Sequence, residues 1–212
     1  MAKKELKMTA VPDPSTEEKI MAAARTVFLE KGFAATRTRD IAEAAGINHA
    51  LLNYYFRSKE KLFQIIMLNT VKQFFSSLSV VFNNPETSLE KKVEEVANYY
   101  INLLTAHPDI PLFIMTEMKK GAKDLMNQVG AKEIVMKSVF IKQYQQAVKE
   151  GKIQKLPPVH FLMNVLGLTV FPFIASPMIK GLVDLSDTEF TSLMQERKKL
   201  IPIWVKMILK AT

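Results

Sequence analysis

Two short stretches of helical pattern meet at a single glycine between Thr38 and Tyr55, and that junction constrains the chain more than any other feature. The first stretch opens near Thr38, with Asp40 in its first turn, and carries Ile41 and Ala45. It stops at Gly46, a residue that permits the left-handed backbone of a tight turn. The second begins at Asn48, a good helix cap, and runs through Tyr55. Ala42 and Ala45 are small where two short helices must cross closely, and Ile47 and Leu52 are apolar where they would plug the junction. This is helix-turn-helix grammar, in which the second helix enters the major groove of DNA. A two-helix hairpin is also common in all-α proteins.

The exposed side of the second helix is expected to carry His49, Ala50, Leu51, Asn53, Tyr54 and Tyr55. These are small, amide or aromatic, with no acid among them, which suits a phosphate-lined groove. At least one of the two tyrosines is expected to pack inward, and His49 has the alternative of being a plain surface histidine. The net charge of +8 points to an anionic partner. Bulk charge does not single out the N-terminal part: residues 1–60 hold 10 Lys and Arg against 8 Asp and Glu, and the remainder 19 against 13. Arginine does, because four of the five (Arg25, Arg37, Arg39, Arg57) precede residue 58. Its guanidinium forks onto phosphates and guanine edges as lysine cannot.

The rest of the chain also reads as helices. Ser15 and Glu18 make a capping box before a helix with Ile20, Ala24, Val27 and Phe28 on one face, closed by Lys31-Gly32. Ser58 caps a long fourth helix whose stripe runs from Leu62 through Phe74, Phe75 and Leu78 until Asn83-Asn84-Pro85 breaks it. Ser88 opens the next, and Pro108 to Pro111 forces a restart. Helical pattern covers Leu112 to Met118, Ala131 to Glu150 and Val159 to Pro172. Asp187 caps a last helix to Leu209, with a kink or break expected at Pro202. The predicted fold is all-α: an arm over 1–14, a three-helix head over 15–60, and a helical body over 61–212 reached through the long helix.

Several classes are disfavoured. The chain has no cysteine, so disulfides and thiolate metal sites are excluded. Its 7 glycines make no phosphate-cradling loop. No nucleophile–base pattern, paired carboxylates or His-x-x-x-His appears, so neither an enzyme nor a cofactor is expected. His107 and His160 are isolated, and no metal site is expected. The N-terminus has no apolar run like that of a signal peptide, and a cytoplasmic protein is expected. Residues 156–179 carry no charge and could match a bilayer in length. Pro157, Pro158, Asn164, Pro172, Ser176 and Pro177 interrupt them, so a buried subunit interface is the preferred reading over a membrane segment.

Ala35 to Phe63, ATRTRDIAEAAGINHALLNYYFRSKEKLF, resembles the signature of the tetracycline-repressor (TetR) family. The matching elements are Thr-Arg-Asp-Ile-Ala, Ala-Gly-Ile, Tyr-Tyr-Phe and Ser-Lys-Glu-Lys-Leu. Ala23-Ala24-Arg25, Phe28 and Lys31-Gly32-Phe33 fit the family's first helix. The resemblance covers residues 15–65; the body fits in length and helicity. It implies that Arg37, Thr38 and Arg39 meet phosphates, that His49, Ala50, Leu51, Asn53, Tyr54 and Tyr55 occupy recognition-helix contacts, and that Lys59 contacts a phosphate. Leu51 replaces a frequent Thr or Ser, Asn53 a frequent Tyr, and Arg57 a frequent Pro or Lys, so the operator sequence does not transfer. The family further implies a homodimer on palindromic double-stranded operator DNA, usually repressing and released by a small molecule.

In the body, Tyr99, Tyr100, Leu103, Phe113, Met115, Met118, Phe140, Tyr144 and Phe171 form a candidate pocket for an apolar or amphipathic effector. Each could instead fill core, and a DNA-binding protein without a ligand response is the alternative. Val159–Phe171 and Phe190–Leu209 are expected to form the dimer interface, with Phe161, Val165, Leu168 and Met194 interdigitating and Gly167 allowing close approach.

Overall fold

The computed structural model describes residues 14–210, so the arm expected over 1–14 lies outside the described residues but for Pro14. Among them regular structure is helical, apart from an isolated bridge between Ile153 and Lys210. They divide into two compact units between Met67 and Leu68.

The first unit, the head, holds α1 (Pro14–Ala35), α2 (Thr38–Ala44), α3 (His49–Tyr55) and the start of α4 (Lys59–Asn83). Helix α1 begins before Ser15, so that residue lies in its first turn and not at its cap. Gly32, with φ of 72°, interrupts α1 where the sequence expected an end, and a last turn continues to Ala35. Ile20, Ala24 and Phe28 are fully buried, and Ile41, Leu52, Leu62, Phe63 and Ile66 close over them. The rings of Phe28 and Phe63 meet edge to face at 4.9 Å. A fully buried side chain of this size contributes about 1.5–3 kcal/mol. Because Leu62, Phe63 and Ile66 belong to this core, the head takes in the first turns of α4.

The second unit, the body, holds the rest of α4, then α5 (Leu89–Ala106), α6 (Ile110–Gln128), α7 (Ala131–Met136) and α8 (Val139–Lys149). It ends with α9 (Pro158–Thr169), α10 (Phe171–Ile174), α11 (Ser176–Leu182) and α12 (Asp187–Leu209). Helix α12 lies along α5, and α9 packs on both. The helix expected over 131–150 is two, since Ser138 caps α8 by accepting from the Ile141 N–H at 3.3 Å. The uncharged 156–179 segment is likewise three short helices, so it offers no continuous span. Among the described residues α4 alone has the length and apolarity to cross a membrane, yet its Leu62, Ile66, Val71, Leu78 and Phe82 are buried within the protein. Helix α12 continues through Pro202 without the break that was one of the two expected outcomes, and its Ile201 and Val205 are buried in the core. Its cap is Ser186, in a reciprocal box with Glu189, and not Asp187. Lys92 is buried on α5 and donates to the carbonyls of Asn84 and Thr87, both at 2.6 Å, tying down the turn after α4.

The interface expected from unpaired apolar surface needs correction. Phe161, Val165 and Met194 are buried inside their own chain. The Phe161 ring lies 5.0 Å from Phe140 and 5.4 Å from Tyr144. Gly167 is exposed and Leu168 half-buried. Helix α9 is apolar on two faces, and one of them already covers the chain's own core. The open faces present Val159 and Met163 on α9 and Ile203 and Met207 on α12.

Candidate nucleic-acid interface

Helix α3 is held at both ends by its own sequence. The Asn48 Oδ1 accepts from the Leu51 N–H at 2.7 Å, capping the start. Gly46, at φ 66°, makes the left-handed turn, and the Ile47 N–H returns to the Ala42 carbonyl at 3.0 Å. Leu52 faces the core, which turns His49, Ala50, Asn53 and Tyr54 outward. Leu51 and Tyr55 are half-buried, and the Tyr54 and Tyr55 rings meet edge to face at 5.5 Å. No acidic side chain stands on α3.

Three of the expected contact residues are joined by hydrogen bonds. The Asn53 Nδ2 donates to His49 Nδ1 at 3.3 Å, and His49 Nε2 lies 2.9 Å from Thr38 Oγ1. With Nδ1 accepting, the ring proton sits on Nε2 and is donated to Thr38. The imidazole thus bridges the two helices of the motif and orients the Asn53 amide. One amide N–H and the amide oxygen of Asn53 remain outside this chain.

Arg37 and Arg39 flank Thr38 at the start of α2, both exposed. The Asp40 carboxylate accepts from the Arg37 N–H at 3.1 Å and pairs with Lys31 at 3.2 Å. The Arg37 backbone N–H, followed by Lys31, holds the Asp40 carboxyl below the usual carboxylate range. Lys59 has a second task that the sequence did not signal. Its Nζ donates to the carbonyls of Phe33 and Thr36, each at 2.9 Å, where α1 ends. Two of its three N–H groups serve the fold.

Residues 20–66 match the family described as bacterial regulatory proteins, tetR family. This segment is of the tetR family. The chain is 24% identical over 203 residues to YttP of Bacillus subtilis (strain 168), a probable HTH-type transcriptional regulator, covering 92% of this chain and 95% of that one. It is 31% identical over 105 residues to the HTH-type transcriptional repressor NicS of Pseudomonas putida, covering 48% of each. A solved tetR-family regulatory protein from Rhodococcus RHA1 superposes with a TM-score of 0.67 at 16% identity, covering 94% of this chain and 100% of that one. That likeness carries the fold.

The body contains an apolar cavity of about 340 Å³. Its walls come from α4, α5, α6, α9 and α10, and every lining residue is apolar. Of the nine residues expected to form a pocket, Met115, Met118 and Phe171 line it. Tyr100, Phe113, Phe140 and Tyr144 are core instead, and Tyr99 and Leu103 lie outside the lining. The Tyr100 hydroxyl donates to the Phe74 carbonyl and that of Tyr144 to Leu156, each at 3.0 Å, so both rings are committed to the fold. Burial raises the pKa of each phenol. Sequence reasoning missed Phe74 and Phe75, which it had assigned to a packing stripe. Adjacent helical residues point about 100° apart, so the pair could not both occupy one narrow stripe. Among the described residues no cluster of His, Asp or Glu could hold a metal.

Proposed function

We propose that the protein is a homodimeric repressor that grips palindromic operator DNA with α3 and releases it when a small apolar molecule fills the body cavity. The observation that carries the DNA reading is the acid-free outer face of α3, capped and tied to α2, beside exposed Arg37 and Arg39. Asn53 keeps an N–H and an oxygen, the pair that an adenine edge requires in the major groove. Ala50 and Tyr54 sit alongside it, and Lys59 retains one N–H for a phosphate. NicS, a repressor by name, supports the direction of control. The lining supports an uncharged, apolar effector, since a charged group there would lose its hydration with no partner.

The control is a two-state one. Effector and DNA favour different arrangements of the dimer, so each weakens the binding of the other by the same factor. Such a regulator works in the cytoplasm and performs no catalysis of its own. The test is retention of fragmented genomic DNA followed by sequencing. Enrichment of inverted repeats supports the proposal; uniform retention of all fragments overturns it. Apolar compounds that raise the melting temperature should then release the enriched DNA. Compounds that bind without releasing it would leave a DNA-binding protein that does not respond to them.

A further inference from the structure

The body has a second concavity, lined from α5, α8, the Lys152–Ile153 turn and the end of α12, with a volume of about 710 Å³. Its floor is apolar, built on Val93, Val205 and Leu209, all buried. Its rim is not: Lys142, Lys152, Lys206 and Lys210 stand around it, with Glu90 and Glu150. The Glu150 carboxylate lies 2.7 Å from the Lys152 ammonium and neutralises it. Lys142, Lys206 and Lys210 are exposed and have no ion pair within the described chain, against one remaining acid, Glu90. An apolar trough under an excess of unpaired ammonium groups complements one kind of molecule. We infer that this groove binds a free amphipathic anion, an alkyl chain ending in a carboxylate, with the chain on Val93, Val205 and Leu209 and the head among the lysines.

The inference stands apart from the DNA-binding reading and from the apolar cavity. That cavity is lined by α4, α6, α9 and α10 residues that the groove does not share, and it has no charge to meet a carboxylate. A neutral alkane would leave the three ammonium groups unused, and a cation would be repelled. A carboxylate gains charge-assisted hydrogen bonds that are stronger than neutral ones. The volume falls within the range of small-molecule sites, about 300–1,000 Å³.

The test uses the full chain, methyl-labelled for NMR, with decanoate below its micelle concentration. Decanol and decyltrimethylammonium serve as head-group controls. Decanoate should bind one site and shift the methyls of Val93, Ile153, Val205 and Leu209. Decanol should bind about tenfold more weakly, the effect of roughly two partly screened charge contacts. Lys142→Gln with Lys206→Gln should weaken decanoate by a similar factor while the melting temperature without ligand stays put, since both side chains are exposed. Gly167→Leu, which alters the other cavity, should leave decanoate binding intact. Shifts confined to Met115, Met118 and Ile174 would overturn the inference, as would equal affinity for the three head groups. So would binding to anionic vesicles with none to monomeric decanoate.

Discussion

The ammonium of Lys59 lies 2.9 Å from the carbonyl oxygen of Phe33 and 4.3 Å from the centre of its ring. It closes the carbonyl end of α1, where a positive charge is favoured by the helix dipole. Lys59→Ala should therefore destabilise the head by about 1–2 kcal/mol without DNA present, a figure reduced because the side chain is only half-buried. Arg39→Ala should leave that stability alone. Both should lower the log–log salt slope of DNA binding, by roughly 0.9 for each phosphate that is no longer neutralised. Chemical denaturation and binding across a salt series separate the two roles; an unchanged slope means that the residue meets no phosphate.

Asn53→Ala should reduce operator binding more than random-DNA binding, by about 1–3 kcal/mol of discrimination. His49→Ala should show part of the same loss, because the imidazole holds the Asn53 amide and links it to Thr38. Competition between operator and random duplexes reads this directly. Equal losses on both DNAs would mean that Asn53 positions the helix and does not read sequence.

Asp40→Asn should destabilise the head in a pH-dependent way. The folded carboxyl has a lowered pKa, chiefly through the Arg37 N–H. Its stabilisation is thus complete above the unfolded value of about 3.9 and disappears as pH falls through the lower folded value. The gap in urea midpoint between wild type and variant should be constant near neutrality and close in the acid window. A gap that persists there would assign the effect to something other than ionisation.

Gly167→Leu should fill the apolar cavity. A Cβ at this position meets nothing within 4 Å, so the larger side chain has room. The variant should keep its fold and lose the thermal shift that apolar compounds produce. A retained shift would place those compounds elsewhere.

Met163→Glu with Ile203→Glu should give soluble monomers with reduced operator affinity, because these residues are exposed apolar groups on α9 and α12. Val165→Glu should instead unfold the body, since that side chain is buried. Light scattering on the purified variants checks the first, and thermal melting the second. A double variant that remains dimeric would move the interface off these faces.

The helix-turn-helix was legible because its signals are local. Gly46 at the turn, Asn48 at the cap and the small Ala42 at the crossing each dictate backbone within a few residues, and the helices formed where those signals stand. The tie between Thr38, His49 and Asn53 was not legible, since it depends on two helices meeting at a particular angle. The same holds for Lys59, whose acceptors at Phe33 and Thr36 are remote in the chain. In the body the sequence determined which residues are apolar, and so that helices would bury one another. Which apolar residues became core, cavity wall or open surface was decided by tertiary packing. Phe140 and Phe161 lie against one another while Phe171 is left 56% exposed at the cavity. Apolar attraction has no direction, so composition alone cannot choose among equally apolar partners; the shapes of the assembled helices do.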